Sequence, residues 1–486
     1  MDLPLNLPIP PEDWARTPPS VQAVVIALWQ EVSALRIEVA QLKEQVNQNS
    51  SNSSKPPSSD PPEKPKRQSK PSGRKRGGQP GHKGQGRKLK PVEEVDKVVE
   101  IKPTCCAECG VLLLGEDPQP GRHQVTELPR IEPHVTEYRR HQIPCPNCGT
   151  LNQEEWPQGM PTGAFGPRLT ATVGYLTGRM GMSQRDAEES LSTLFRTEVG
   201  LGSIPTLNGR VSEALAEPVA QAHEFVQQQA VVNADETSWR QEGQRQWLWI
   251  AATPLVTVFL LVASRSGQAA RQLLGEQFRG IVGSDRWSAY NWLDKQRRQL
   301  CWAHLKRDFQ AFVDREGASA KLGEALLAQE KKLFALWYRV RDGTLSRTDF
   351  QVQSQPIRQQ VGQLLHHGTE LPHKKTAGTC RDILKREVAL WTFIDVPGVE
   401  PTNNDAERPL RRAVLWRRRS FGTQSDAGSR FVERILTAVT TLRQQDRDVL
   451  DYLTAACAAS IRGDESPSLL PTLNFSGSHH IDPSDT

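Results

Sequence analysis

A chain of 486 residues has room for several domains of roughly 100–200 residues each. With only 37% hydrophobic residues, and no apolar run near the roughly 20 positions a bilayer requires, no transmembrane helix is expected. The formal net charge of +5 is modest but segregated, which makes a polyanion the expected partner and a membrane an unexpected one. No acidic residue occurs from Lys64 to Lys90, where Lys66, Arg67, Lys70, Arg74, Lys75, Arg76, Lys83, Arg87 and Lys88 crowd together. A second basic cluster runs from Arg408 to Arg419 and includes Arg411, Arg417 and Arg418. Met1 to Pro11 lacks a basic stretch followed by an apolar one, so no secretory signal is expected and the cytoplasm is the expected compartment. Eight cysteines in a long cytosolic chain, four of them in Cys-x-x-Cys pairs, point to metal rather than disulfides.

In chain order, residues 21–48 carry a seven-residue repeat. Val25, Val32, Val39 and Val46 take one core position, and Leu28, Leu35 and Leu42 take the position three residues on. β-Branched residues at the first and leucine at the second favour a parallel two-stranded coiled coil, hence a homodimer or higher homo-oligomer. The plainer alternative is one amphipathic helix packed on its own domain. Residues 49–92 turn to Ser, Asn, Pro, Lys and Gly, which cannot bury enough apolar surface to order themselves, and predict a disordered basic linker that meets phosphates.

Residues 93–155 hold Cys106-x-x-Cys109 and Cys145-x-x-Cys148, a spacing that suits a closed tetrahedral zinc ribbon. Cys105 competes as a ligand there. Residues 165–229 read as short helices broken at Gly178, Gly200-Leu201-Gly202 and Pro205, with a helix-turn-helix for DNA as one use and simple packing as the other. The period then changes. Ala230–Asp235, Trp247–Ala252 and Thr257–Val262 predict a three-stranded meander, Ala269–Phe278 a helix, Gly280–Ser284 a buried strand and Gln299–Ala303 another. That order belongs to a ribonuclease-H-like α/β core. Its first part is 230–309, an all-helical insertion covers 310–398, the second part covers 399–460 and a tail follows at 463–486.

Three carboxylates stand out within that order. Asp235 is expected to end the first core strand, where a charge is costly unless paired or metal-bound. Asp285 follows the strand after the helix. Pro409 is tolerated only near a helix start, so a helix begins near Asn404 or Asp405 and Glu407 falls in its first turn. Taken singly, each has an ordinary reading: a strand-end turn, a helix cap, and the end of a capping box opened by Asn404. Together they sit on elements that converge in a ribonuclease-H-like fold, and two metal ions about 4 Å apart need such bridging carboxylates. Mg²⁺ is the expected ion, with Mn²⁺ able to substitute.

At these residues the chain resembles the insertion-sequence-66 family of transposases, bacterial enzymes of the Asp-Asp-Glu type. The resemblance is carried by the N-terminal zipper, Asn49–Asp60, Gly78–Gly84, the four-cysteine knuckle, Ala234-Asp235-Glu236-Thr237, and Ser284-Asp285 with Tyr290. Cys301-Trp302-Ala303-His304, Thr402–Arg408 and Arg417–Gly422 complete it. It implies that Asp235, Asp285 and Glu407 form the catalytic triad. It also implies that DNA, as element ends and target, is the substrate, that small accessory proteins of the same element are partners, and that the protein works at the bacterial nucleoid. A doubled Cys105-Cys106 departs from the family pattern. Cys301 and His304 alone do not make a metal site and are expected to line the active-site wall. Two rival readings remain: a non-enzymatic zinc-containing DNA-binding regulator, and a ribonuclease-H-like nuclease or resolvase that cuts without joining.

Overall fold

Alternating burial along the strands decides how the chain layers. The structure, a computed structural model, describes residues 9–53 and 88–471. They fall into two units, one drawn from Pro62–His134 and the other from the rest. Lys66, Arg67, Lys70, Arg74, Lys75, Arg76, Lys83 and Arg87 lie outside the described residues, as do the tail beyond residue 471 and most of the linker.

The larger unit opens with two helices, α1 (Pro11–Arg16) and α2 (Pro19–Val46). Along α2, Leu28, Val32, Leu35, Val39, Leu42 and Val46 are all exposed, a row of aliphatics that the rest of the described chain leaves uncovered. The C-terminal end of α2 is anchored: Glu44 pairs with Arg315 at 3.0 Å and Lys375 at 2.6 Å.

A short antiparallel ribbon, β1 (Gln142–Pro144) and β2 (Leu151–Gln153), flanks the second cysteine pair. Four helices follow: α3 (Pro167–Gly174), α4 (Gln184–Phe195), α5 (Ser203–Ala214) and α6 (Ala216–Gln227). A π-helical turn, Tyr175–Arg179, extends α3.

Next come β3 (Val231–Gln241), β4 (Gln244–Ala252), β5 (Thr257–Val262), α7 (Gly267–Leu274), β6 (Ile281–Ser284) and β7 (Arg298–Leu300). The five strands form one sheet in the order β5-β4-β3-β6-β7, antiparallel through β3 and parallel from β3 to β7. The predicted meander is thus present. β3, however, runs to Gln241, so Asp235 lies in mid-strand rather than at its end, because β4 pairs with it residue for residue to the turn. The predicted strand over Gln299–Ala303 is Arg298–Leu300, and a helix begins at Trp302.

Beyond the sheet lie α8 (Trp302–Val313), α9 (Gly317–Arg341), α10 (Arg347–Thr369), α11 (Lys374–Leu384) and α12 (Thr392–Asp395). They share an aromatic-rich core of their own around Trp302, Phe309, Trp337, Phe350 and Phe393. The chain then returns through α13 (Asn404–Ser420), α14 (Asp426–Gln444) and α15 (Val449–Arg462).

Period-two alternation covers both faces of the sheet. Val232, Ala234, Trp249, Ala251, Val258 and Leu260 pack with α6, α7 and α15. Trp239, Leu248, Ile250, Phe259 and Leu261 face Ala406, Leu410 and Ala413 of α13 and Val432 of α14. The free edge of β5 is closed by side chains. Thr441 and Thr437 of α14 accept from the Thr257 and Phe259 backbone N–H groups at 3.1 and 3.0 Å, and Glu433 accepts from Leu261. Four helical residues advance about 6 Å and two strand residues about 6.6 Å, so a one-per-turn row on the helix matches every outward N–H of the strand. Edge pairing with a foreign strand is thereby blocked.

Candidate active site

The parallel register of β3 and β6 brings the first two carboxylates level. Asn233 pairs with Gly283, so two residues on, Asp235 stands beside Asp285 at the carboxyl end of β6, where α/β sheets place their sites. Gly283 makes room there for Asn233, whose Oδ1 a Cβ would meet at 2.2 Å. Alternation turns Asp235 toward the face that α13 covers, the face that also carries Trp239.

Glu407 reaches the same corner because the start of α13 is pinned to β3. Asn403, fully buried, donates from Nδ2 to the Ala234 carbonyl at 3.3 Å. Asn403 makes no side-chain cap, and no capping box is opened by Asn404. Arg417, three turns on, donates to Thr237 Oγ1 at 3.2 Å and Ser238 Oγ at 2.7 Å, holding the far end of α13 to the same strand. That guanidinium is committed to β3. Arg408 pairs with Asp405, while Arg411 and Lys88 are exposed.

Electrostatics registers the convergence. Burial holds the Asp235 carboxyl well above its ordinary range, and the charges of Glu236, Asp285 and Glu407 push it further. Asp285 Oδ1 accepts from the Trp287 N–H at 2.8 Å, so it opens the following turn as well as facing the cluster. The neighbouring carboxylates thus make the Asp235 charge costly, and a bound cation would reverse that. Carboxylates suit divalent cations, and these three are the candidates to hold them.

Glu407 has a second set of neighbours. Cys301 Sγ, a His304 ring nitrogen and a Glu407 carboxylate oxygen lie within 4.8 Å of one another. His304 Nδ1 and Glu407 Oε1 are 3.5 Å apart, and both are buried without a hydrogen-bond partner. Burial keeps His304 below the usual imidazole range despite the pull of Glu407, so its lone pair is available. Burial, then Glu407, pushes the Cys301 thiol up to about 12. Thiol, imidazole and carboxylate make a transition-metal donor set. Two ligands three positions apart do not make a site, and the fold adds a third from a distant helix. Arg307 lies 3.7 Å from the other Glu407 oxygen.

Glu236, adjacent to Asp235, points to the opposite face. Its carboxylate, 1% exposed, pairs with Arg265 at 2.7 Å and accepts from the Tyr290 hydroxyl at 3.1 Å. Burial, then Asp285, pushes its pKa up to about 7 even with Arg265 alongside. Arg265 in turn stacks over Trp287 at 3.9 Å and Trp247 at 4.7 Å. A second, half-buried knot joins Arg286 to Asp308 at 2.7 Å and Asp382 at 2.6 Å, tying the loop after Asp285 to α8 and α11. Strand alternation was the signal that separates Glu236 from Asp235. The Arg286 knot had no sequence signal.

The cysteine knuckles are alike in backbone. In each, the first cysteine's carbonyl accepts from the glycine just past the second, Gly110 and Gly149, at 3.0 and 2.9 Å. Both glycines have positive φ, 73° and 72°, which a side chain rarely adopts. Local N–H groups and the neighbouring thiol lower the pKa of Cys106, while Thr150 does most to lower that of Cys148. Cys105 bridges to Leu112 in strand fashion. The two knuckles belong to different units.

Comparison with known proteins adds the following. The profile of the Transposase IS66 family matches residues 162–430. That of a family of unknown function (DUF6444) matches residues 9–88. Two relatives come from Sinorhizobium fredii (strain NBRC 101917 / NGR234). "Uncharacterized protein y4qI" is 28% identical over 47% of this chain and 46% of its own length. "Uncharacterized protein y4hP" is 24% identical over 75% of this chain and 72% of its own. The chain thus spans about half the length of the first of these. No helix among the described residues is long and apolar enough to cross a membrane.

Proposed function

Because the chain belongs to the Transposase IS66 family, we propose that it is a DNA transposase that cuts at the ends of an insertion element and joins them to target DNA. The observation that carries this reading is the corner where Asp285 and Glu407 raise the charge energy of Asp235. On this reading the sheet is a ribonuclease-H-like core, supported by its strand order with three antiparallel and two parallel members.

Asp235, Asp285 and Glu407 would hold two Mg²⁺ ions, or Mn²⁺ in their place. Such a pair supplies activation of a water or 3′-hydroxyl and stabilisation of the leaving oxygen. The protein's own contribution is placement. The β3–β6 register sets the spacing of the two aspartates, Asn403 docks the glutamate beside them, and Cys301 and His304 wall Glu407 from behind. The cysteine pairs would hold a structural Zn²⁺ through Cys106, Cys109, Cys145 and Cys148. Lys66 to Lys88, Arg408, Arg411 and Arg418 would contact phosphates, while Arg417 serves α13 first.

The test is cleavage and strand transfer on a labelled element terminus with purified protein. Asp235→Asn, Asp285→Asn and Glu407→Gln keep shape and lose charge, so each is expected to lower both steps by roughly a hundredfold or more while DNA binding persists. Cleavage without joining in the wild type would favour a nuclease or resolvase. Full activity in all three variants would remove the triad.

A further inference from the structure

Arg179 is the point of departure. Its Nη1 is a buried atom with no hydrogen-bond partner. It ends a π-helical turn, a rare element that recurs at functional sites. The turn is pressed onto α14 so closely that a Cβ at Gly178 would meet Ile435 at 2.5 Å. Burial lowers its pKa, and Arg412 and Arg443 lower it further.

These residues border a cavity of about 520 Å³ between the turn, α13 and α14. Its rim holds six arginines, Arg179, Arg408, Arg412, Arg418, Arg419 and Arg443, and no carboxylate. Arg408 is paired with Asp405 and Arg419 lies 3.9 Å from Asp186. Arg412 and Arg443 make no ion pair among the described residues. Converging like charges, one of them with a buried and unpartnered Nη1, are costly until an anion joins them. The walls are apolar: Trp416, Leu415, Met180 and Val439. The size falls within the roughly 300–1,000 Å³ of small-ligand sites.

We infer that this cavity receives one unpaired nucleotide of the DNA strand, its phosphate on Arg179, Arg412 and Arg443 and its base against the Trp416 wall. The inference rests on the transposase reading above. A bare phosphate would leave the apolar wall unused, and an apolar ligand would leave the arginines uncompensated, whereas a nucleotide satisfies both. Its place along the strand follows from the helix. Arg408 and Trp416 lie one and nine residues after Glu407 on α13, so the pocket extends about 14 Å along the axis from the carboxylate cluster, a few nucleotides away.

The probe is a short single-stranded oligodeoxynucleotide carrying 5-iododeoxyuridine, irradiated with the full-length protein and mapped by mass spectrometry. Crosslinks at Trp416 or Met180 are expected. They should fall about tenfold or more in Arg412→Glu with Arg443→Glu, two exposed positions, while duplex retention in gel shifts persists. An abasic version should compete about tenfold less well. Crosslinks found only elsewhere, crosslinks indifferent to the charge reversals, or equal competition by the abasic strand would each overturn the nucleotide pocket alone. If wild-type protein retained neither single strand nor duplex and cut no element end, the transposase reading itself would fall.

Discussion

The core from residue 165 to 470 and the cysteine-bearing stretch from 88 to 156 are held together by different means. In the first, side chains on both faces of a sheet are buried and even the edge strand finds acceptors on α14 for its outward N–H groups. In the second, almost every residue is exposed, including Ile101, Leu114, Val125 and Val135, and regular structure is limited to one three-residue turn and a ribbon of three-residue strands. A segment that buries so little cannot offset its chain entropy with hydrophobic contacts. Its local order sits instead at the two Cys-x-x-Cys-Gly turns. One chain thus uses packing where three carboxylates converge and keeps preformed thiol turns where a metal could do the organising.

Chelation should break the comparison most sharply. If zinc supplies order to residues 88–156, metal analysis should find about one zinc per chain. Cys145→Ser with Cys148→Ser should remove it, and limited proteolysis should then open that stretch while the melting of the core is unchanged. Structural zinc contributes roughly 10 kcal/mol or more to such modules. Unchanged zinc content in the double variant would assign the cysteines another role.

A buried acid tests the packed half. Glu236→Ala leaves Arg265 and the Tyr290 hydroxyl without their shared partner, so denaturant unfolding should show a loss of about 2–3 kcal/mol. Glu236 is therefore no neutral control for its neighbour. A loss below about 0.5 kcal/mol would show that the network is dispensable.

Asp235→Asn is expected to act in the opposite direction. The folded-state pKa of Asp235 lies above its unfolded value, so below the ordinary carboxylate range the residue costs nothing. As pH rises toward the folded pKa, the fold must either hold the proton or bear the charge, and stability declines. Metal-free Asp235→Asn should thus melt a few degrees higher than wild type at pH 8, with the gain vanishing near pH 4. Mg²⁺ or Mn²⁺ should stabilise the wild type and not the variant. Equal metal-induced shifts in both proteins would place the ions elsewhere.

The smallest effect on the core is expected from α2. Charged residues at Leu28 and Leu35 remove an exposed row, so core stability should move by no more than about 0.5 kcal/mol. Sedimentation should nonetheless show the oligomer dissociating if the heptad pairs copies of the chain. An unchanged mass would mean that Glu44, through Arg315 and Lys375, is the only anchoring α2 requires.

Much of this was legible in the amino-acid order, because it depends on neighbours. The period-two runs at Val231, Trp247 and Thr257 determine strands, the Val/Leu heptad determines one long helix, and Pro409, which lies inside α13 in its second turn, points to a helix start just upstream. Cys-x-x-Cys-Gly determines its own turn, since only glycine takes the left-handed step at low cost. Asp235, Asp285 and Glu407 were nameable as candidates on that ground. What brings them to one corner was not legible. It depends on Asn403 reaching the Ala234 carbonyl, Gly283 admitting Asn233, and Arg417 holding β3. The third neighbour of Cys301 and His304, the knot of Arg286 with Asp308 and Asp382, and the arginines around the Trp416 cavity also join residues far apart in sequence. Such pairings leave no periodicity, because their partners are chosen by packing across layers, and only the tertiary structure decided them.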